Sequence, residues 1–321
     1  MVKPVLSWGR AQRYDQTVVS LGRFETAFDG NGPLEGPVTF RGMGRSYGDV
    51  ALNENGTLVQ ATGPDSVIAF DRETGILRAR SGLTLADLHR ITIPAGWIVA
   101  VTPGTKFVTL GGAVANDVHG KNHHTAGSFG AHVTALMLAR SNGERLLCSP
   151  TENADMFALT ISGLGLTGYI EWVELQLKRI TSSNLHVENR PYADLDEFFA
   201  LSEESADWPY TVAWLDCFSP EAALGRGVFS RARYVEHGPL NVKPADKAIK
   251  WPLEMPSFLL NRMSISAFNW LYRHRPAATF YGEQDYDPFF YPLDGILDWN
   301  KLYGHKGFFQ HQSIIPMENG K

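Results

Sequence analysis

The sequence predicts an α+β fold of two domains, the first at about residues 1–184 and the second at about 185–321. The chain has 321 residues, which is enough for two domains of ordinary size. Its composition, 44% apolar and 20% charged, is typical of a globular protein. Short strands alternate with glycine turns as far as about residue 180. Beyond about residue 182 the glycine clusters stop and aromatic residues become frequent, which places the boundary at 181–190.

Alternation of apolar and polar residues predicts the strands of the first domain. They are expected at residues 37–41, 57–60, 66–70, 75–80, 135–140, 145–148 and 169–180. Asn142-Gly143 is a strong signal for a tight turn, so residues 133–150 are expected to form a hairpin. Thr84 can cap a helix that runs through Ile93, with Asp87 as its capping-box partner. A second short helix is predicted over 154–161.

The second domain is predicted to contain strands at residues 210–218 and 227–234, both rich in aromatic and β-branched residues. A polar, proline-bearing stretch follows them, and a helix is predicted over 258–273. The chain shows no internal repeat and no low-complexity segment.

Charge and cysteine content exclude several classes of protein. The formal net charge of −5 and the isoelectric point near 6.1 argue against non-specific binding of nucleic acid. The only cysteines, Cys148 and Cys217, cannot form a disulfide scaffold and favour a reducing compartment. Neither a signal-peptide core nor a membrane-spanning apolar window is found. The sequence therefore predicts a soluble cytoplasmic protein that could still touch a membrane surface.

Three glycine-rich segments of the first domain are candidates for ligand binding. They are Arg41–Asp49, the pair Pro103–Thr105 and Val108–Ala113, and Ile161–Ile170. A turn of this kind can point several backbone N–H groups at an anion, although each segment alone could be a surface turn. The first segment is neither a Walker loop nor a Rossmann fingerprint, because the residues that complete those motifs are missing. Together the three segments predict one extended ligand, such as a dinucleotide.

The segment Asp117–His124 places three histidines and a lysine directly after a run of small residues. Zinc is the obvious alternative to a catalytic cluster. However, His123 and His124 are adjacent and would point in different directions, and no cysteine or cluster of carboxylates completes a site. No metal is therefore predicted. From the residues alone, any single histidine of this run could as well be structural as catalytic, and Lys121 could be a solvated surface charge.

Taken together, these segments resemble the vanillyl-alcohol-oxidase type of FAD-binding fold. Within it, His119-Gly-Lys-Asn-His-His124 with Gly127–Gly130 resembles the flavoprotein oxidases of decaprenylphosphoryl-β-D-ribose epimerisation. Matching segments continue in order at 213–216, 224–226, 291–294, 299–300 and 307–312, so the resemblance covers about residues 35 to 316. It implies a two-subdomain, PCMH-type FAD-binding domain followed by an antiparallel-sheet substrate domain.

The resemblance also assigns roles to residues. The implied FAD contacts are Gly42, Met43, Gly44, Arg45, Ser46, Tyr47, Gly48, Asp49, Gly104, Thr109, Leu110, Gly111, Gly112, Asn116, Asp117, His119 and Ile170. The implied catalytic residues are His119 and Lys121. The implied substrate contacts are Lys121, Trp214, Phe290, Gln310 and Gln312. In covalent members of the superfamily a histidine precedes the serine of the first loop. Arg45 takes that place here and cannot form the bond, although it can pair with a phosphate, so FAD is expected to be non-covalent.

The activity implied is oxidation of a secondary sugar hydroxyl, at C2 of a polyprenylphosphoryl-β-D-ribofuranose, to the 2-keto intermediate of arabinose-donor synthesis for cell-wall arabinan. An NADH-dependent short-chain reductase would be the partner that completes the epimerisation. Two alternatives stay open: an FAD-dependent oxidase of a soluble sugar alcohol or aldonolactone, and a truncated, non-catalytic flavin-binding protein. The second arises because the resemblance implies roughly a hundred further residues, so the substrate domain is expected to be incomplete at its C-terminus.

Overall fold

The computed structural model describes residues 2–63, 66–242 and 248–319. Its strands are β1 (Val2–Leu6), β2 (Arg13–Ser20), β3 (Val38–Arg41), β4 (Thr57–Gln60), β5 (Val67–Phe70), β6 (Ile76–Arg80), β7 (Trp97–Ile98), β8 (Val133–Ala139), β9 (Arg145–Cys148), β10 (Tyr169–Gln176), β11 (Lys178–Arg179), β12 (Asn184–Tyr192), β13 (Tyr210–Leu215), β14 (Gly227–Tyr234), β15 (Ile249–Lys250), β16 (Phe280–Asp285) and β17 (Ile296–Leu297). Its α-helices are α1 (Leu21–Phe28), α2 (Leu85–Thr92), α3 (Leu110–Ala115), α4 (His123–Ala126), α5 (Ala154–Thr160), α6 (Leu195–Glu204), α7 (Arg262–His274) and α8 (Tyr286–Phe290).

The first sheet has the order β1-β2-β4-β3. β1 is antiparallel to β2, whereas β2 and β3 both run parallel to β4. Aromatic side chains fix this sheet against the next one: Phe24 of α1 lies 4.8 Å, centroid to centroid, from Phe40, which stacks 4.7 Å from Tyr169 of β10. Since β3, which contains Phe40, leads into the first glycine loop and Tyr169 lies within the third segment, this packing brings two of the predicted ligand segments together.

The second sheet is antiparallel and has the order β5-β6-β10-β8-β9. Its inner face packs against α2 and α3 in one buried core, to which Leu77, Leu88, Val114, Leu136 and Val173 belong. Local sequence signals set its connections. The Thr84 hydroxyl accepts a hydrogen bond from the Asp87 N–H and so begins α2, and the turn around Asn142-Gly143 joins β8 to β9. Both predictions are confirmed.

The predicted long strand over 169–180 is wrong, because it divides into β10 and β11. Gln176 is the last residue of β10 to pair with β6, opposite Ile76. The N–H of Leu177 donates to the carbonyl of Gly75, where a φ of +77° turns the neighbouring chain away. The ladder therefore ends there, and Lys178–Arg179 pairs instead with β7 in a separate two-stranded sheet.

The second half of the chain forms an antiparallel sheet of order β13-β14-β12-β16. The predicted strand over 210–218 ends early, at Leu215, because Asp216 turns the chain and its carboxylate accepts the Phe218 N–H. The predicted helix over 258–273 begins late, at Arg262, because Asn261 forms a capping box with Ser264.

The buried core is continuous across the proposed domain boundary. β12 begins at Asn184, inside the predicted boundary, yet Leu185, Tyr210 and Tyr286 belong to the same buried cluster as the inner face of the second sheet. The division at about residue 184 therefore stays a prediction. No helix among the described residues has the length and apolarity needed to span a bilayer.

Candidate functional site

A cleft of about 660 Å³ lies where the glycine segments meet. It is lined by Trp8, Phe40, Gly42, Met43, Gly44, Arg45, Ser46, Tyr47, Gly48, Val50, Ala51, Ala61, Ser81, Pro103, Gly104, Thr105, Val108, Thr109, Gly111, Gly112, Ala115, Asn116, Val118, His119, Leu164, Gly165, Gly168, Tyr169, Ile170, Leu293, Trp299, Gln310 and Gln312. All three predicted segments contribute, so the structure brings them together. A cleft of this size, open and partly apolar, suits a large organic ligand.

The first glycine loop, residues 42–48, is held from behind by Arg41. The Arg41 guanidinium donates to the carbonyls of Leu6 (2.9 Å) and Ala51 (3.0 Å). Gly44 has a φ of +60° where the loop passes over this guanidinium. Among the described residues, no protein acceptor receives a backbone N–H from Met43 to Tyr47. A braced loop with a run of unpaired N–H groups is suited to bind an anion.

Arg45 adds a positive charge to this loop. Its guanidinium lies 3.8 Å from the centre of the Trp8 ring, and its Nε is buried without a hydrogen-bond partner among the described residues. Burial lowers the pKa of Arg45, and the nearby Asp294 and Asp298 oppose that shift. An unpartnered guanidinium nitrogen beside free N–H groups fits a phosphate of the ligand.

The second segment supplies a flat wall. Thr109 caps α3, and the N–H groups of Leu110 and Gly111 donate to the carbonyls of Leu83 and Ser81. A Cβ on Gly111 would lie 2.9 Å from the Ser81 Cβ, so this close approach requires glycine. Because these N–H groups are already paired, the anion-binding role falls to the first loop, and the Leu110 side chain points into the core.

The third segment folds back onto α3. The N–H groups of Ser162 and Leu164 donate to the carbonyls of Val114 and Ala115. Both residues have positive φ, which is unusual for residues other than glycine and marks a tightly constrained turn. Ile170, the last residue of this segment, is buried and lines the cleft.

His119 stands at the end of the cleft that the second half of the chain covers. Its Nε2 lies 3.0 Å from the side-chain nitrogen of Gln312, and Gln310 lines the same wall. Asp117 does not line the cleft; its carboxylate accepts the Gly130 N–H at 2.7 Å and holds the turn before His119. Asp49 also lies outside the lining.

The other two histidines of the run point elsewhere. The ring of His123 contacts the carbonyl of Gly120 at 3.2 Å, and the ring of His124 contacts that of Trp208 at 3.0 Å. Neither lines the cleft. This divergence is what adjacent positions require, and it separates His119 from its two neighbours in the sequence.

Lys121 lies behind the cleft wall. Its Nζ donates to the carbonyl of Phe290 at 3.0 Å and sits 5.5 Å from the centre of the Phe289 ring. Phe290 is itself buried, 5.0 Å from the Tyr210 ring, and Trp214 packs 4.7 Å from Tyr272. Of the five predicted substrate residues, Gln310 and Gln312 therefore line the cleft, whereas Lys121, Trp214 and Phe290 do not.

Burial lowers the pKa of Lys121 from its ordinary value of 10.5 to about 8. Between these two values the unfolded chain binds the extra proton, so the lysine makes stability rise with pH across that window. We expect the free energy of unfolding of wild type minus that of Lys121→Met to increase from pH 8 to pH 10, as measured by urea denaturation. A difference that stays flat or falls over this range would contradict the lowered pKa of Lys121 in the folded protein.

Several lining residues escaped the sequence analysis. Trp8, Ser81 and Trp299 come from parts of the chain without glycine clusters or dense polar residues. A buried charged group between the two halves of the second segment was also missed: Lys106 forms an ion pair with Asp287, and its backbone N–H donates to Asp294 at 2.8 Å. The roles of all these residues depend on partners that are distant in the sequence, which no local pattern shows.

The fold and the cleft define a flavin-binding protein. Residues 34–149 match the family model of an FAD binding domain, which makes FAD the cofactor of this cleft. Over 293 residues the chain is 33% identical to decaprenylphosphoryl-beta-D-ribose oxidase of Mycolicibacterium smegmatis, covering 88% of this chain and 64% of that protein. It is 37% identical over 164 residues to the "uncharacterized protein in mprA 5'region" of Streptomyces coelicolor, covering 51% and 43%. It is 31% identical over 137 residues to L-gulonolactone oxidase of Mus musculus, covering 42% and 30%. The chain thus spans less than two thirds of each of these relatives.

The cleft fits FAD on its own geometry. The unpaired N–H groups of the first loop and the unpartnered Arg45 Nε suit the pyrophosphate, and the glycine wall of α3 suits a planar ring. Gly104 lines the cleft, and a Cβ built there meets no atom within 4 Å. Gly104→Leu should therefore fold but project into the cofactor space.

We expect Gly104→Leu to weaken FAD binding about tenfold or more, as measured by the bound-flavin absorbance after gel filtration. Gly104→Ala is the matched control, since its single methyl group enters open space, and it should keep its FAD. Full flavin content in the leucine variant would show that this segment does not border the cofactor.

Proposed function

We propose that this chain carries an FAD-dependent oxidoreductase that oxidises a secondary hydroxyl of a sugar, most specifically C2 of a polyprenylphosphoryl-β-D-ribofuranose to the 2-keto product. The observation that carries the proposal is the grouping of His119, Gln310 and Gln312 at one end of a cleft whose other walls suit FAD. Imidazole and amide groups can donate to and accept from sugar hydroxyls. The similarity to the mycobacterial oxidase supports the lipid-linked ribose as substrate.

In this proposal FAD bound in the cleft would supply the two-electron acceptor for the hydride of the carbinol carbon. The chain's own residues orient the sugar. His119 and Gln312 hydrogen-bond each other in the structure, so together they can bind the reacting hydroxyl, and the His119 imidazole can accept its proton. Lys121 acts from behind the wall, where its hydrogen bond to the Phe290 carbonyl fixes the segment that leads to Tyr291 and Asp294.

Arg45 supports the proposal that FAD is held without a covalent bond. It occupies the position where covalent relatives carry a histidine, and its guanidinium stacks on Trp8. Acid precipitation should therefore release the flavin into the supernatant. Flavin that stays with the precipitated protein would show a covalent link elsewhere.

An NADH-dependent short-chain reductase would consume the 2-keto product, because a ketone returned to the epimeric alcohol requires a second hydride donor. The substrate's polyprenyl chain also implies that the protein works at a membrane surface. Both statements follow from the proposed substrate.

A second candidate is an oxidase of a soluble aldonolactone or sugar alcohol, which the similarity to L-gulonolactone oxidase favours. Anaerobic mixing of the FAD-loaded protein with each substrate distinguishes the two. Bleaching of the flavin by polyprenylphosphoryl ribose in detergent, but not by L-gulonolactone, supports the first proposal. The reverse result supports the second, and bleaching by neither substrate rejects both.

A further inference from the structure

Helix α7 carries an apolar stripe on its solvent side. Its inner side is anchored, since Asn269 donates to the Asp216 carboxylate at 2.6 Å and Arg273 donates to the carbonyl of Tyr192. The outer side presents Met263, Ala267, Trp270, Leu271 and His274, spaced as a helix spaces one face. Met263 is 84% exposed, Leu271 62% and Trp270 56%. Such a stripe normally faces a core, but here it faces solvent.

The segment before α7 extends this surface. Ile249, Leu253 and Phe258 are each at least 70% exposed. We call the exposed apolar side chains from Ile249 to Leu271 the apolar rim. Large exposed apolar side chains concentrated on one segment of a globular protein indicate an interaction site rather than ordinary scatter.

The charge of the rim opposes that of the whole chain. Residues 248–275 contain Lys250, Arg262, Arg273 and Arg275 against a single acidic residue, Glu254, whereas the chain carries a net charge of −5. Glu254 is itself paired with Arg10. Apolar side chains beside basic ones in a chain that is acidic overall are complementary to an anionic lipid surface.

The rim is continuous with the cleft. β15 pairs in parallel with β17, the N–H of Trp251 donates to Leu297, and the N–H of Met255 donates to Lys301. These partners flank Trp299, which lines the cleft, and Leu293 also lines it while staying 45% exposed. The rim is therefore attached to the wall of the cleft that contains Leu293 and Trp299.

We propose that the apolar rim docks the protein on anionic membrane lipid, so that the cleft receives its substrate from the bilayer surface. The choice of substrate rests on the proposed function, but docking itself rests on exposure and charge. Apolar side chains enter the interface between head groups and acyl chains, and the exposed Lys250, Arg262 and Arg275 pair with lipid phosphates. Since the rim and the cleft share a wall, docking brings the cleft mouth to the membrane.

The test is sedimentation of the FAD-loaded protein with vesicles made of equal parts phosphatidylcholine and phosphatidylglycerol. Wild type should co-sediment, less so as salt is raised. Phe258→Asp and Met263→Asp, both at highly exposed positions, should each weaken partitioning about tenfold or more. Leu159→Asp is the matched control: Leu159 is 61% exposed on α5, away from the rim, and its variant should bind like wild type.

Location is tested by brominated lipid, which quenches tryptophans that reach the acyl region. Trp270→Phe should lose most of the quenching while still co-sedimenting. The proposal is overturned if wild type stays in solution, if it pellets without vesicles (which would indicate a second copy as the occupant), or if the two rim variants bind like wild type. Oxidation of detergent-dispersed substrate, measured in parallel, judges the proposed function separately, because it requires no vesicle.

Discussion

Replacing His119 by glutamine is expected to slow reduction of the flavin by its sugar substrate by about 10²–10³-fold. His119 is the only imidazole that lines the cleft among the described residues, and its Nε2 is positioned by the Gln312 amide. Glutamine keeps a polar side chain but cannot exchange a proton at the reacting hydroxyl. The measurement is the rate of flavin bleaching after anaerobic mixing, in a single turnover.

His123→Gln is the matched control, because that ring is exposed and its contacts, with the Gly120 carbonyl and the His124 ring, lie outside the cleft. It should bleach at the wild-type rate. Flavin content must be equal in both variants, so that a loss of cofactor is not mistaken for a loss of rate. A His119→Gln variant with full flavin and wild-type bleaching would remove His119 from the proposed chemistry.

Replacing Lys106 by methionine is expected to destabilise the fold by about 3–5 kcal/mol. Lys106 is only 5% exposed, its Nζ pairs with Asp287, and its N–H donates to Asp294. Burial raises the pKa of Asp294, which a hydrogen bond from Thr105 and the charges of Lys106 and Arg45 oppose. Loss of the lysine would leave buried carboxylates without their compensating charge.

Urea denaturation measures this effect. Arg90→Met is the control, since its ion pair with Asp87 is exposed and should be worth at most about 1 kcal/mol. The double variant Lys106→Met with Asp287→Leu should recover part of the loss, because it removes both charges of the pair. A Lys106 variant as stable as the Arg90 variant would mean that the pair does not hold the two halves of the chain together.

Local signals predicted much of the fold. Thr84 begins its helix and Asn142-Gly143 turns its hairpin because the interactions that decide these features lie within a few residues. The break after Gln176 was missed because it depends on where β6 turns, about a hundred positions away in the chain. The strands β1 and β2 were not predicted, because both are largely exposed or half-buried and their residues do not alternate clearly between apolar and polar.

The residues of the site likewise divide into those that the local sequence predicts and those that depend on distant partners. The glycine segments were predictable because close backbone packing leaves a composition signal, and His119 stood out in a dense polar run. Lys121 shared that run, yet its amine turns away to the Phe290 carbonyl, which spacing along the chain could not show. Arg45 was placed by resemblance, whereas its ring partner Trp8 lies in a segment with no signal at all.

Trp8 also determines when the cleft can be completed as the chain is synthesised. The carbonyl of Trp8 accepts from Asn300, 292 positions later, and the N–H of Phe308 donates to the carbonyl of Gly9. A ribosome releases the amino-terminal segment first, so this wall can form only after Asn300 and Phe308 have emerged. Until then the flavin cleft lacks one side, which means that cofactor capture follows the pairing of Trp8 and Gly9 with these distant residues.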